Sequence, residues 1–289
     1  MDPRTRTLLD VNIDDLLQAF GWQGVPVLRR LVLRLARRPA LSFAREMTRF
    51  DDAVGASGVA AAAGAMLAEY TRTVRARNLQ RIPPAGPVLL LSNHPGMTDT
   101  LALFASIPRT DLLALAAERP FLRALPAASR SLVFLSDDRA RRFAAMRRAI
   151  DHLRAGGALL TFPAGEIEPD PAVLPGAVRA LDRWSGSSIN FLRFVPDITV
   201  VPIIVTGVLA PRAQRNPLTL LRRRPADREK LAATLQVLVH TLFPSAWRLR
   251  VTVDAVKAFR GRELIALGDQ ARGAITAAVA DFLRLRERA

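Results

Sequence analysis

Residues 87–99 read PVLLLSNHPGMTD, and this stretch decides the fold class. The apolar run over 87–92 is short and ends in turn-forming residues, which is typical of a buried strand. Pro95 and Gly96 then break the backbone, and a helical pattern follows over 98–106. The stretch therefore predicts a strand, a turn and a helix, the repeating unit of an α/β sheet.

The same alternation continues through the rest of the chain. It predicts strands over 111–116, 131–136, 157–162, 198–206 and 248–253. It predicts helices over 138–154, 226–242 and 263–285. The strand over 248–253 alternates with period two, so one of its faces is expected to be solvated. We predict an α/β fold with a mostly parallel or mixed sheet flanked by helices.

The first part of the chain has a different pattern. Residues 1–82 read as a helical N-terminal region, with one helix over 58–77, and the α/β domain is predicted over 83–289. Within this region, residues 29–38 mix Leu and Val with five Arg and follow Trp22, Val25, Val27 and Leu28. Two interpretations stay open: a helix packed on the core with a solvated Arg face, or an amphipathic helix lying on an anionic membrane surface.

Composition excludes several function classes. The 289 residues include no Cys, which excludes disulfide scaffolds, thiolate metal sites and Cys nucleophiles. The net charge of +16 comes almost entirely from Arg, and it fits either an overall composition bias or an anionic partner. Aromatic residues make up only 6% of the chain, so platforms for stacking bases are few and we expect no nucleic-acid partner. No apolar run approaches the ~20 residues of a membrane span, and no secretion signal is visible, which predicts a cytoplasmic location.

The sharpest local signal is the pair His94 and Asp99. On a continuous helix this spacing would place the two side chains about 140° apart. Because Pro95 and Gly96 interrupt the backbone, Asp99 can instead fold back towards the imidazole and leave the other ring nitrogen free to take a proton. The pair lies at the carboxyl end of a strand, where α/β sheets usually bind ligands. The alternative is a turn histidine next to an ordinary acid at a helix start.

Two further loops follow predicted strands. Residues 161–170 read TFPAGEIEPD, in which Gly165 would let a backbone N–H approach a substrate oxygen. Residues 134–142 present Arg139, Arg141 and Arg142, whose forked donors suit a phosphate. An exposed turn and a solvated helix face are the respective alternatives.

In this order the segments resemble the phospholipid/glycerol acyltransferase family, the lysophosphatidic-acid-acyltransferase-like enzymes with a His-x4-Asp motif. Asn93, His94 and Asp99 match its first block, Asn-His-x4-Asp, at every defining position. The segments similar to the second, third and fourth blocks are residues 134–142, Phe162-Pro163 with Gly165, and Val201-Pro202. The third block, Phe-Pro-Glu-Gly-Thr-Arg, differs here, because Ala164 replaces the Glu and Glu166 follows the Gly.

The resemblance, which spans about residues 83–207, implies an acyltransferase of phospholipid biosynthesis. His94 and Asp99 would be catalytic, and the substrate would contact Asn93, Arg139, Arg141, Phe162, Pro163, Gly165 and Glu166. The implied partners are an acyl-CoA or acyl carrier protein as donor, a lipid acceptor and an anionic membrane surface, with no bound cofactor and no metal. The enzyme would lie peripherally at the inner face of the cell membrane.

Two other readings compete with this one. A non-catalytic basic protein could bind membrane or nucleic acid through its Arg surface, but the three ordered loops would then have no role. A family member that binds lipid without catalysis would fit the altered third block, but Asn93, His94 and Asp99 are all present.

Overall fold

The computed structural model of the protein describes residues 1–22, 26–96, 98–243 and 246–287, without the side chains of 26–29, 31–33, 188, 226 and 287. Within these described residues, eight strands form one sheet. They are β1 Thr71–Arg77, β2 Val88–Ser92, β3 Leu112–Ala117, β4 Leu132–Leu135, β5 Ala158–Thr161, β6 Thr199–Thr206, β7 Leu249–Ala255 and β8 Phe259–Arg260.

Helices lie between most of these strands. The α-helices are α1 Pro3–Phe20, α2 Pro26–Ser57, α3 Val59–Tyr70, α4 Thr98–Ser106, α5 Pro120–Arg123, α6 Pro126–Ser129, α7 Arg139–Arg154, α8 Ala177–Ala180, α9 Pro211–Gln214, α10 Pro225–Leu242, α11 Gly261–Ala266 and α12 Ala271–Glu287. Short 3₁₀ turns cover Leu79–Arg81, Leu181–Arg183, Gly186–Arg193, Pro217–Leu221 and Gly268–Gln270. The predicted α/β class is confirmed.

The sheet is mixed. Its strand order is β1-β7-β6-β2-β5-β3-β4, and β8 pairs with the first residues of β6. Strand β2 lies between β5 and β6 and is parallel to both, whereas β7 runs antiparallel to β6. The carboxyl ends of β2, β5 and β6 therefore meet at one edge of the sheet, and the loops that leave them are neighbours.

The core lies on both faces of the sheet. Because side chains alternate along a strand, Leu90 of β2 faces α3, α4 and α10, while Leu89 and Leu91 face α7 and α12. All three leucines are buried. A separate apolar cluster joins α1, α2 and α3 through Leu8, Ile13 and other residues.

Two of the predicted helices have different bounds in the structure. The predicted helix over 58–77 ends at Tyr70, and Thr71–Arg77 forms β1, which pairs in parallel with β7. The β-branched residues of this segment favour a strand once a partner strand is present. The division of the chain at residue 82 stays a prediction, and β1, from its first part, pairs with a strand of its second part.

The predicted helix over 263–285 is in fact two helices. Gly268 takes a left-handed conformation (φ +54°) between α11 and α12 and ends the first of them.

The cationic segment over 29–38 lies within α2. Arg30, Arg34, Leu35, Arg37 and Arg38 are exposed. Val25 and the side chains of Val27, Leu28, Arg29, Leu31, Val32 and Leu33 lie outside the described residues. The structure therefore leaves both interpretations of this segment open. Among the described residues, no helix has the length and apolar character needed to cross a membrane.

Candidate active site

His94 and Asp99 lie together at the carboxyl end of β2. The imidazole Nδ1 is 2.8 Å from Oδ2 of Asp99, which sits in the first turn of α4. The same oxygen accepts the N–H of Gly96 at 3.0 Å, and Oδ1 accepts the hydroxyl of Thr100 at 3.0 Å. The Asp99 side chain is fully buried, whereas 29% of the His94 side chain is exposed. Asp99 can thus orient an imidazole whose Nε2 is left without a partner among the described residues.

The charges around His94 favour its protonated form. Burial lowers the pKa of His94, but the Asp99 carboxylate and, less strongly, that of Glu168 outweigh it, so the pKa lies above the usual value of histidine. The ring also stacks at a tilt on Phe162, with 4.6 Å between the ring centroids. His94 therefore binds a proton more readily than an ordinary histidine, and its ring can both take and return one.

Asn93 joins two strands. Its buried side-chain amide donates to the carbonyl of Val205 at 2.9 Å and accepts the N–H of Val205 at 2.8 Å. The side chain thereby extends the pairing of β2 with β6 past the last backbone pair, which is Ser92 with Ile203. These contacts give Asn93 a structural role, and its predicted contact with substrate stays a prediction.

Glu168 was not among the site residues predicted from the sequence, yet it is hydrogen-bonded to the backbone of His94. The N–H of His94 donates to its Oε2 at 3.1 Å, and the N–H of Glu168 donates to the carbonyl of His94 at 2.9 Å. The indole of Trp184 donates to Oε1 at 2.9 Å. Burial raises the pKa of Glu168 to about 7. The hydrogen bonds that its carboxylate accepts from Trp184 and from the His94 backbone oppose this rise, as do the nearby charges of Arg183 and His94.

Asp170 holds the loop that follows β6. Its buried carboxylate accepts the N–H groups of Gly207 at 2.9 Å, Val208 at 2.8 Å and Leu209 at 3.1 Å. It also accepts the N–H of Ala172 at 2.9 Å. Burial raises the pKa of Asp170 in spite of these four hydrogen bonds. The loop 162–170 is therefore tied to the loops after both β2 and β6.

The predicted site residues of the loop 162–170 differ in their exposure to solvent. Phe162 contacts His94, and Pro163 is buried, with its carbonyl accepting the N–H of Ser185 at 3.0 Å. Glu166 is exposed and pairs with Arg183 at 3.0 Å. Gly165 takes a left-handed conformation (φ +67°).

The N–H of Gly165 donates to the carbonyl of Phe162 at 3.0 Å, so the expected oxyanion donor is already used in the turn. The neighbouring N–H groups of Ala164 and Glu166 make no hydrogen bond within the described residues.

Arg139 and Arg141 do not join this group. They are exposed on α7, which follows β4 at the far end of the sheet, three strand positions from β2 or about 14 Å across the sheet. Asp138 caps this helix by accepting the N–H of Arg141 at 2.8 Å. Their predicted role in phosphate binding stays a prediction.

Comparison with known proteins identifies a domain in the central part of the chain. The family model described as Acyltransferase matches residues 73–206, which run from β1 through β6 and include the His94 loop and the loop 162–170. The chain contains an acyltransferase-family domain. The predicted enzyme class, an acyltransferase, is thereby confirmed.

Two other comparisons add little to this acyltransferase assignment. No curated protein matches the chain by sequence. Among solved structures, the 1-acyl-sn-glycerophosphate (LPA) acyltransferase PlsC from Thermotoga maritima is similar at 16% identity, over 97% of this chain and 95% of that one. Its TM-score of 0.49 is too low to carry an argument about function.

Proposed function

We propose that this acyltransferase moves a fatty acyl chain from a thioester to a hydroxyl group of a lysophospholipid, a glycerol phosphate or a related lipid. The donor would be acyl-CoA or an acyl carrier protein, and no bound cofactor or metal is needed. The observation that carries the proposal is the 2.8 Å contact between His94 Nδ1 and the buried Asp99 carboxylate, within the matched family segment.

His94 would act as the general base. With Nδ1–H donated to Asp99, Nε2 has a free lone pair that takes the proton of the acceptor hydroxyl as its oxygen attacks the thioester carbonyl. The tetrahedral intermediate then expels the thiolate, and the imidazolium returns the proton to the sulfur. A positioned base contributes about 10²–10⁴ in rate.

The oxyanion of the intermediate needs a hydrogen-bond donor. The N–H groups of Ala164 and Glu166, which have no hydrogen-bond partner in the part of the chain that the structure describes, flank Gly165. They lie in the loop whose Phe162 contacts the His94 ring. We assign the stabilising donor to these groups instead of Gly165, and one such donor is worth about 10²–10³ in rate.

The acceptor would enter past Glu166 and Arg183, which form the exposed ion pair of this loop. Ala164 carries no polar group at the place where the resembling family has a Glu. We therefore propose that the chain retains the acyl-transfer chemistry and that Glu166 contributes to recognition of the acceptor.

The lipid acceptor places the reaction at a membrane surface. The exposed arginines of α2 fit a peripheral contact with anionic lipid at the inner face of the cell membrane, since Arg stems can lie along the interface while their charges meet lipid headgroups. No step of this reaction calls for nucleic acid.

Release of free CoA thiol from a long-chain acyl-CoA tests the proposal. Purified protein receives liposomes with a pool of lysophospholipids and amino lipids, beside the variant His94→Ala and the control Asp182→Asn, an exposed acid next to Arg183. We expect acceptor-dependent release by the wild type and the control only, and mass spectrometry of the product then names the acceptor. Equal release by His94→Ala would rule out His94 as the base.

A further inference from the structure

The segment 211–224, which follows β6, displays three leucines to solvent. Leu218, Leu220 and Leu221 are 44%, 68% and 58% exposed. Single exposed leucines are ordinary on protein surfaces, but three within four residues form a local apolar patch. We call residues 211–224 the leucine–arginine turn.

An ordered turn holds these leucines outward. Asn216 accepts the N–H of Leu218 on its side chain at 3.0 Å and the N–H of Thr219 on its carbonyl at 2.9 Å. Thr219 and Ala213 are buried against the protein, and α10 packs beside them. The exposure of the leucines is therefore a property of the folded turn and does not come from fraying.

The same turn is strongly cationic. It contains five arginines and no acid, namely Arg212, Arg215, Arg222, Arg223 and Arg224. Four of them are exposed, and Arg222 is half-buried and paired with Asp227 at 3.3 Å. Exposed leucines between exposed arginines have the composition of a surface that inserts into an anionic bilayer, where the leucines enter the acyl region and the arginines meet the headgroups.

The turn lies at the edge of the sheet that carries His94. It leaves β6 at its carboxyl end, through the loop 207–210 that Asp170 and Gln236 hold. The Arg222 guanidinium also packs over Gly21 at the end of α1. The leucine–arginine turn thus lies next to the carboxyl end of α1.

We propose that the leucine–arginine turn is a lipid-docking surface, which inserts Leu218, Leu220 and Leu221 into an anionic bilayer and so brings the His94 edge of the sheet to the membrane. The use of this surface in catalysis rests on the proposed function, since a lipid acceptor must reach His94. The binding itself depends only on the turn. A nucleic acid would use the arginines but would leave the leucines in water.

Vesicle co-sedimentation without substrate tests the docking. The probes are phosphatidylcholine vesicles with and without phosphatidylglycerol, and the variant is Leu220→Ser with Leu221→Ser. The matched control is Ile265→Ser with Leu267→Ser, two residues 44% and 42% exposed in and just after α11. That helix follows β8, which pairs with the amino end of β6, so the control lies at the opposite edge of the sheet.

We expect the Leu220/Leu221 variant to bind phosphatidylglycerol vesicles roughly tenfold or more weakly than the wild type. The Ile265/Leu267 control should bind like the wild type, and vesicles without phosphatidylglycerol should bind all proteins weakly. Circular dichroism melts check that both double variants are folded. Equal vesicle binding by the two double variants, or no binding by the wild type, would overturn the proposal.

A charge variant separates lipid from nucleic acid. Arg223→Gln with Arg224→Gln should weaken vesicle binding and make it less sensitive to salt. If this variant loses binding to duplex DNA while its vesicle binding stays unchanged, the surface serves a nucleic acid and the proposal is wrong. His94→Ala should bind vesicles fully, so a failure of the proposed chemistry and a failure of the docking are measured apart.

Discussion

Glu168 and His94 are joined by a reciprocal pair of hydrogen bonds, although they are 74 positions apart in the chain. The N–H of His94 donates to the Glu168 carboxylate, and the N–H of Glu168 donates to the His94 carbonyl. Both oxygens of the carboxylate accept from N–H donors, the second from Trp184. The backbone of the proposed base is therefore fixed by a buried carboxyl group, whose ionised form also raises the pKa of the imidazole.

The variant Glu168→Gln should change the pH dependence of the enzyme. A Gln has one acceptor oxygen, so one of the two N–H donors loses its hydrogen bond and kcat falls. The Glu168 carboxylate raises the pKa of His94, so its removal lowers that pKa, and the acidic limb of the kcat profile should move to lower pH. The measurement is kcat from pH 5 to 9 beside Asp182→Asn. An unmoved acidic limb would contradict the electrostatic part of this prediction.

Asp99→Asn should lower kcat by about 10²–10⁴. An amide N–H₂ against Nδ1 favours the opposite tautomer, with the proton on Nε2, whereas an amide oxygen there is an uncharged and weaker acceptor than the carboxylate. Single-turnover kinetics measure the chemical step. The control is Asp197→Asn, an exposed acid paired with Arg262 at 2.5 Å. A loss of the same size in both variants would argue against a role in orienting the base.

Glu229→Gln should stabilise the protein in alkaline buffer. This buried side chain makes no hydrogen bond within the described residues, and burial raises its pKa to about 7 from 4.5. The folded state binds the proton of the Glu229 carboxyl group more tightly than the unfolded state does. The contribution of this protonation to stability is therefore complete below pH 4.5 and is lost as the pH rises through 7. At pH 8 the variant should gain on the order of 2 kcal/mol, and at pH 4.5 close to none. Urea unfolding at both pH values measures this, with the exposed Glu263→Gln expected to stay unchanged.

Gly207→Ala should destabilise the fold far more than Gly268→Ala. Both glycines have positive φ, +76° and +54°, so both variants strain the backbone. A Cβ on Gly207 would also lie 2.1 Å from the carbonyl oxygen of Arg250, whereas nothing lies within 4 Å at Gly268. We expect a loss above about 3 kcal/mol at Gly207 and about 1 kcal/mol at Gly268, measured by urea unfolding. Similar losses would show that the close approach is relieved elsewhere.

The part of the site that could be predicted from the sequence is the part encoded locally. His94 and Asp99 are brought together by one strand, one turn and one helix, all readable within 87–106. Glu168 and Asp170 were missed because their partners lie 74 and 37 positions away. The available signal was two acids, separated by Pro169, in the loop that follows a buried strand of a basic chain.

The errors in the fold also have physical causes. Strand β1 is exposed after its first residue and carries arginines, so no buried stripe separates it from the preceding helix. Its strand conformation depends on pairing with β7, which lies far along the chain. Arg139 and Arg141 are exposed on α7, and their predicted contact with phosphate stays a prediction.

The turn Gly207–Leu209 presents three successive N–H groups to one carboxylate. Such an array is an anion nest of the kind that holds phosphate in many enzymes. Here Asp170 fills it permanently, because the carboxylate is tethered to the same chain and cannot diffuse away. A phosphate on either substrate would meet a nest that a carboxylate already fills, so this backbone cradle would add no affinity for it.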